Sequence, residues 1–231
     1  METSLHRELK RRYADPDDLR VEVRHGRYRI DAVCGAELVE VQHGSLAAIR
    51  GKIRALLNDH RVRVVKPIVA SKLLVKRSRE RGRIVSRRLS PKRQTMLALF
   101  DELVYFTSVF PHARLTLEVV LVDIEEWRYP GHGRRRRWRV DDHVVEDQKL
   151  SAVIERRLLT TAADLRALVD CELPGEFHTA DLAAALGVPR HVAQRIAYCL
   201  RETGAARVVG KRGNAHLYEW PARARRSRLA A

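Results

Sequence analysis

The sequence predicts an α/β N-terminal domain with a mixed sheet and an αβββαβ order of elements over residues 1–130, followed by a smaller unit at 148–220. Three observations carry this reading. Short runs with period-two alternation follow a helical segment near the start of the chain, and a second helix follows them. A strand, helix and strand in succession between residues 36 and 70 call for a right-handed crossover, hence a parallel pair beside the antiparallel hairpins. After residue 178 the pattern changes to two short helices around a Gly/Pro turn, then two strands around a basic turn. With 231 residues, 45% of them apolar, the chain can build sizeable cores.

Residues 3–13 read as a helix, with Leu5, Leu9 and Tyr13 at helical spacing and Glu8 facing the elements that follow. Asp15-Pro-Asp-Asp is a loop, and Leu19 to Arg24 a strand turning at His25-Gly26. Tyr28–Val33 and Ala36–Gln42 then form a hairpin joined at Cys34-Gly35. If residue 33 faces residue 36, Arg29 faces Glu40 and alternation puts Asp31, Glu40 and Gln42 on one side, away from Tyr28, Ile30, Val39 and Val41.

Ser45 to Asp59 is a helix whose apolar stripe includes Leu46, Ile49, Ile53, Leu56 and Leu57, with Lys52 off that stripe. Arg61 to Ala70 is a buried strand ended by its proline. Residues 72–93 form a basic hairpin turning near Glu80-Arg-Gly82, with Arg77, Arg79, Arg83, Arg87 and Arg88 on a ribbon suited to phosphate contacts. Gln94 to Ser108 reads as a core helix and Leu115 to Ile124 as a further strand. A basic linker covers 131–147, with Arg134, Arg135, Arg136 and Arg137 in a row; further helices span about 148–158 and 161–170.

Two carboxylates on one face can converge on a hard cation, and Mg²⁺ takes one or two of them. Here the chain resembles the PD-(D/E)XK nuclease superfamily, restriction-endonuclease-like in fold, whose motif is an Asp at one strand and Glu-X-Lys in the next. The match is Asp31, then Glu40-Val41-Gln42, with Gln where Lys is commonest and Ile30 where a Pro usually stands. The resemblance implies Mg²⁺ or Mn²⁺ on Asp31 and Glu40, and a water positioned by Gln42. It also implies a positive charge from Lys52 on the following helix and an extra acidic residue on the first helix, Glu8. The whole chain is also similar to bacterial proteins of unassigned function that share an Ile-Asp-x-Val and Glu-Val/Ile-Gln-x-Gly-Ser pattern.

Thr179–Gly187, the turn Val188-Pro-Arg190 and the helix from His191 to Gly204, with strands around Lys211-Arg-Gly-Asn214, resemble a winged helix-turn-helix. That resemblance implies DNA contacts from Arg190, His191, Gln194 and Arg195 on the second helix and from Lys211 and Arg212 on the wing. Residues 221–231 read as a basic disordered tail.

A net charge of +16, from 45 Lys and Arg against 29 Asp and Glu, fits a polyanionic partner, most simply double-stranded DNA. Three cysteines without CxxC spacing suggest neither a disulfide framework nor a zinc site. The charged start and the lack of a long apolar run suggest a cytoplasmic protein that does not enter membranes. The expected function is a metal-dependent DNA endonuclease; the alternative is a non-enzymatic DNA-binding protein on a degenerate nuclease fold. RNA as the target, and a homodimer, are both compatible with the pattern.

Overall fold

The computed structural model describes residues 2–14, 20–131 and 142–221. The loop at 15–18, the arginines at 134–137 and the tail beyond residue 221 lie outside the described residues.

The protein is a mixed α/β fold organised on a large mixed sheet. Helix α1 (Ser4–Tyr13) starts at the Thr3 side-chain cap and is followed by β1 (Val21–His25), β2 (Tyr28–Cys34) and β3 (Glu37–Val41). Helix α2 (Leu46–Leu56) starts at the Ser45 cap, its hydroxyl accepting from the Ala47 N–H. The long strand β4 (Arg61–Arg77) then turns back into β5 (Ile84–Leu89). A 3₁₀ turn at Met96–Ala98 and the short α3 (Leu99–Leu103) stand where one long core helix was expected. Strands β6 (Leu115–Pro130) and β7 (His143–Leu159) complete the sheet, in the order β1-β2-β3-β4-β6-β7 with β5 on β4. The crossovers put β3 parallel to β4 and β4 parallel to β6; the other pairs are antiparallel.

Alternation along the central strands separates two apolar layers. Val65, Val120, Val122 and Ile124 pack with Leu5 and Leu9 of α1. Val64, Ile68, Leu117 and Val119 pack on the other face with α2, α3 and the C-terminal helices.

Two expectations about strands are corrected. Strand β4 runs through Pro67 instead of ending there. Val65 offers its carbonyl to the Gln42 N–H, so Pro67, two residues on, turns its missing donor to the same side. There β3 has ended at Val41 and the β5 pairing starts only at Leu73, opposite Leu89, so no ladder bond is lost. Residues 148–158 are strand rather than helix, because β7 pairs with β6 along its length. The sheet therefore claims the end of the expected linker and the start of the expected second domain.

The rest of the chain holds α4 (Ala162–Ala167), β8 (Glu176–Phe177), α5 (Thr179–Leu186), α6 (Arg190–Glu202), β9 (Arg207–Arg212) and β10 (Ala215–Glu219), with a three-stranded sheet ordered β8-β10-β9. Its core is continuous with that of the first sheet: Leu165, Phe177, Ile196 and Leu200 belong to the same buried cluster as Leu99, Phe100 and Leu103. The Cys199 thiol lies 3.7 Å from the Phe100 carbonyl.

Candidate active site

The β2–β3 hairpin turns at Gly35-Ala36, one residue later than expected, because Gly35 takes the left-handed conformation (φ +55°) that the first loop position requires. The register becomes Cys34↔Glu37, Val33↔Leu38 and Ala32↔Val39. One step further it sets Asp31 against Glu40, where Arg29 was expected.

The acids do not share one face in the simple way alternation implies. Ile30 and Val33 pack in the α2 layer while Ala32, between them, packs in the α1 layer. The strand therefore slips phase at Asp31. The β1 ladder skips there too, with Val21↔Ala32 and Val23↔Ile30 on either side of Glu22, which has a φ of +56°. The slip lets Asp31 Oδ2 accept the Val41 N–H at 2.8 Å, closing the strand gap with a side chain.

Around this slip the folded chain gathers groups that lie far apart in sequence. His6 Nε2 and Lys10 Nζ, one helical turn apart on α1, stand 3.5 and 3.9 Å from Asp31 Oδ1. Lys10, almost fully buried, also bonds Glu2 and Glu22. From α2, Lys52 Nζ donates to Glu40 Oε2 at 2.6 Å and to the Arg29 carbonyl. Gln42 Nε2 donates to the Ser45 carbonyl at 2.8 Å. Lys66, 3% exposed, donates to the carbonyls of His43 and Gly44 and faces Glu102. A cleft of about 450 Å³ opens here, lined by His6, Lys10, Glu22, Asp31, Gln42 and His43 among others.

The electrostatics of the two acids diverge. Burial opposes ionisation of Asp31, but hydrogen bonds from His6 and the Val41 N–H, with the nearby His6 and Lys10, outweigh it and hold its carboxyl below the ordinary value. Burial and the neighbouring Asp31 charge push the Glu40 carboxyl up, against the pull of Lys52. Burial, then Lys66 and Lys72, hold the His43 imidazole down.

The donor chemistry suits a hard divalent cation, because Glu40 is raised partly by a like charge that such an ion would neutralise. Asp31 and Glu40 would hold it. Among the described residues no group of three or more His, Cys, Asp or Glu side chains could hold a metal ion, so an ion here would rest on these two carboxylates, water and substrate.

The fold thus brings Asp31, Glu40, Gln42 and Lys52 together, and leaves Glu8 out. Glu8 pairs with Arg12 on the helix surface at 2.8 Å, on the flank of the Leu5–Leu9 stripe opposite His6 and Lys10. His6, Lys10, Glu22 and His43 were not anticipated; Lys66 had been a reserve candidate for the positive charge after Lys52. The i, i+4 spacing of His6 and Lys10 beside a buried stripe was the one available signal.

Among the residues expected to touch DNA, Arg79, Arg83, Arg87 and Arg88 are exposed on the β4–β5 hairpin. Arg77 is engaged within the fold, 4.5 Å over the Trp127 ring and 3.4 Å from Glu146. Arg190, His191 and Gln194 are exposed on α6, and Lys211 and Arg212 on the β9–β10 hairpin. Arg195, also exposed, is held by Asp101 of α3 at 2.5 Å. Among the described residues no helix is long and apolar enough to cross a membrane.

A mixed α/β protein with a carboxylate–lysine cleft at a strand slip is the class that fold and site define. The chain belongs to the family described as a domain of unknown function, DUF8091, whose model matches residues 3–160, from the start of α1 to the end of β7. It is 31% identical over 219 residues to an uncharacterized protein of Treponema pallidum (strain Nichols), covering 94% of this chain and 84% of that protein. That similarity therefore extends past residue 160 into the C-terminal helices. No solved structure matches the chain significantly.

Proposed function

We propose that this chain is a metal-dependent DNA endonuclease of the PD-(D/E)XK type, joined to a winged-helix unit that holds DNA. The observation that supports it most is the direct contact of Glu40 with Lys52, next to Asp31, at the phase slip of β2. The order α1-β1-β2-β3-α2-β4 supports the reading, being the order expected of a restriction-endonuclease-like core. The α4, α5 and α6 helices with a β8-β10-β9 sheet support the winged-helix part of the reading, in which the exposed Arg190, His191 and Gln194 would meet a groove.

In this reading Asp31 and Glu40 would hold Mg²⁺ or Mn²⁺, which when bound would lower the pKa of a water and neutralise charge on the phosphate. Lys52 supplies the positive charge that Gln42 lacks, reaching the cleft from α2 rather than from β3. Gln42, anchored through its amide nitrogen to Ser45, presents its amide oxygen to a water. His6 and Lys10 keep Asp31 ionised, so one carboxylate is ready for the cation at any pH above its depressed pKa.

The test is cleavage of supercoiled, linear, single-stranded and branched DNA, and of RNA, with Mg²⁺ or Mn²⁺, by wild type and Glu40→Gln. A second reading, non-enzymatic DNA binding, is favoured by the lysines beside both acids, since Lys10 and Lys52 already offset the charge a metal would offset. Wild type that binds DNA but cuts nothing with either metal would select it.

A further inference from the structure

Beyond α1 the strands β5, β4, β6 and β7 continue for several residues, and among the described residues no helix packs on one face of this extension. A bulge sets which side chains reach it. Val69 pairs with Val122 and Ser71 with Asp123, so Ala70 is an extra residue in β4. Without the bulge, Ser71, Leu73 and Val75 would follow Val65 and Val69 onto the α1 face. With it, Lys72 aligns with Ile124 of the α1 layer, and Leu74 and Lys76 follow. Cross-strand partners share a face, so Arg88 (opposite Leu74) and Arg128 (opposite Lys76) join them.

Two cavities lie along this row, past the carboxylate cleft. The nearer, about 440 Å³, is lined by Lys72, Lys92 and Arg93 with Ser90 and Gln94. The farther, about 310 Å³, is lined by Lys76, Arg88 and Arg128 with Tyr129, His143 and Asp142. Lys72 is paired with Glu126, and Asp142 carries the other acidic group, so six cations stand against two acids.

We propose that this strip is a phosphate track: a DNA duplex engaged at the Asp31–Glu40 cleft lies along β4, with its backbone on Lys72, Lys92 and Arg93 and then on Lys76, Arg88 and Arg128. Val65, beside the cleft in the register Val41↔Val65, is about ten strand steps from Lys76, roughly 33 Å at ~3.3 Å per residue. At ~3.4 Å per base pair that is about ten pairs. Four hydrogen-bonded strands, about 4.8 Å apart, make a flap too wide for a major groove of ~12 Å, so the contacts are with phosphates and independent of sequence.

This track rests on the reading of the chain as a DNA-acting protein but not on its chemistry. The test uses the full chain and end-labelled duplexes of roughly 6, 12 and 20 base pairs of unrelated sequence, with single-stranded DNA and RNA alongside, in fluorescence anisotropy at several salt concentrations. Wild type gains affinity from the short to the middle duplex. Lys76→Ala/Arg88→Ala/Arg128→Ala loses that gain, binds the longer duplexes at least tenfold more weakly, and has a salt slope smaller by about two to three. The exposed single variant Lys76→Glu gives the same trend where the triple variant is unstable. Unchanged length dependence and slope in both variants overturn the track, as does tighter binding of RNA or single strands than of duplex. Failure of wild type to bind any nucleic acid overturns the DNA-acting reading itself. Loss of cleavage in Glu40→Gln with the length dependence intact supports both.

Discussion

The Lys52 ammonium lies 2.6 Å from the Glu40 carboxylate, spanning twelve residues of sequence and the gap between α2 and β3. Gln42 brings only a dipole to the motif position, so this contact is where a full positive charge meets Glu40, as Lys10 meets Asp31. Lys52→Ala is expected to lower the cleavage rate on the order of 10²–10³-fold, the size of losing one preorganised stabilising group, with little effect on DNA affinity. Lys52→Arg restores part of the rate. A loss below about threefold would make Lys52 a structural partner of Glu40.

The opposed shifts of the two carboxyls give a pH signature. Glu40 is raised above 4.5 by burial and by Asp31, so in the metal-free protein it keeps its proton to higher pH. A cation needs it ionised, so binding releases that proton, and affinity for Mn²⁺ climbs as pH rises through the raised pKa and then levels. Asp31, depressed below 3.8, is already charged throughout that window. Calorimetric Mn²⁺ titration between pH 5 and 8 checks this: wild type shows the climb and Glu40→Gln a flat, weak response. An equal climb in both would assign the proton elsewhere.

Lys66 is a buried cation whose pKa burial lowers, against the pull of Glu102. Its folded pKa lies below 10.5, so between the two values the unfolded chain binds more protons and stability rises with pH. Urea melts should therefore show wild type gaining stability as pH approaches 10.5, and Lys66→Met lacking that gain. A Lys66→Met curve parallel to wild type would mean that Lys66 is not the titrating group.

The shared core predicts one cooperative unit. Phe100 is fully buried against the C-terminal helices, and Phe100→Ala should cost about 3–5 kcal/mol. Hydrogen exchange should show β4 and α6 destabilised together. A variant that loosens α6 while β4 keeps wild-type protection would restore two independent domains.

What could be read from the sequence was local. The existence of the Tyr28–Gln42 hairpin (though not its register), the α2 stripe and the basic turn after β4 are set by neighbours within a few residues, and they were legible. Strand β7 was not: Leu150, Ile154 and Leu158 suit a helical stripe as well as a strand, and only pairing with β6 decides between them. The site behaved likewise. Asp31, Glu40, Gln42 and Lys52 were named, but Glu8 was chosen over His6 and Lys10 because a helical stripe fixes the buried side and not which flank meets the hairpin. The phase slip at Asp31 was invisible because it goes with an irregularity at Glu22, in a neighbouring strand. Pro67 misled for the same reason, since its missing donor matters only where a neighbouring strand needs it.

The most direct measurement is Mg²⁺- or Mn²⁺-dependent nicking of supercoiled DNA by wild type and Glu40→Gln, with DNA affinity followed in the same buffer. The account predicts that wild type cuts, and that Glu40→Gln loses on the order of 10²-fold or more in rate while its affinity stays within about twofold. Cleavage by Glu40→Gln at the wild-type rate would contradict it.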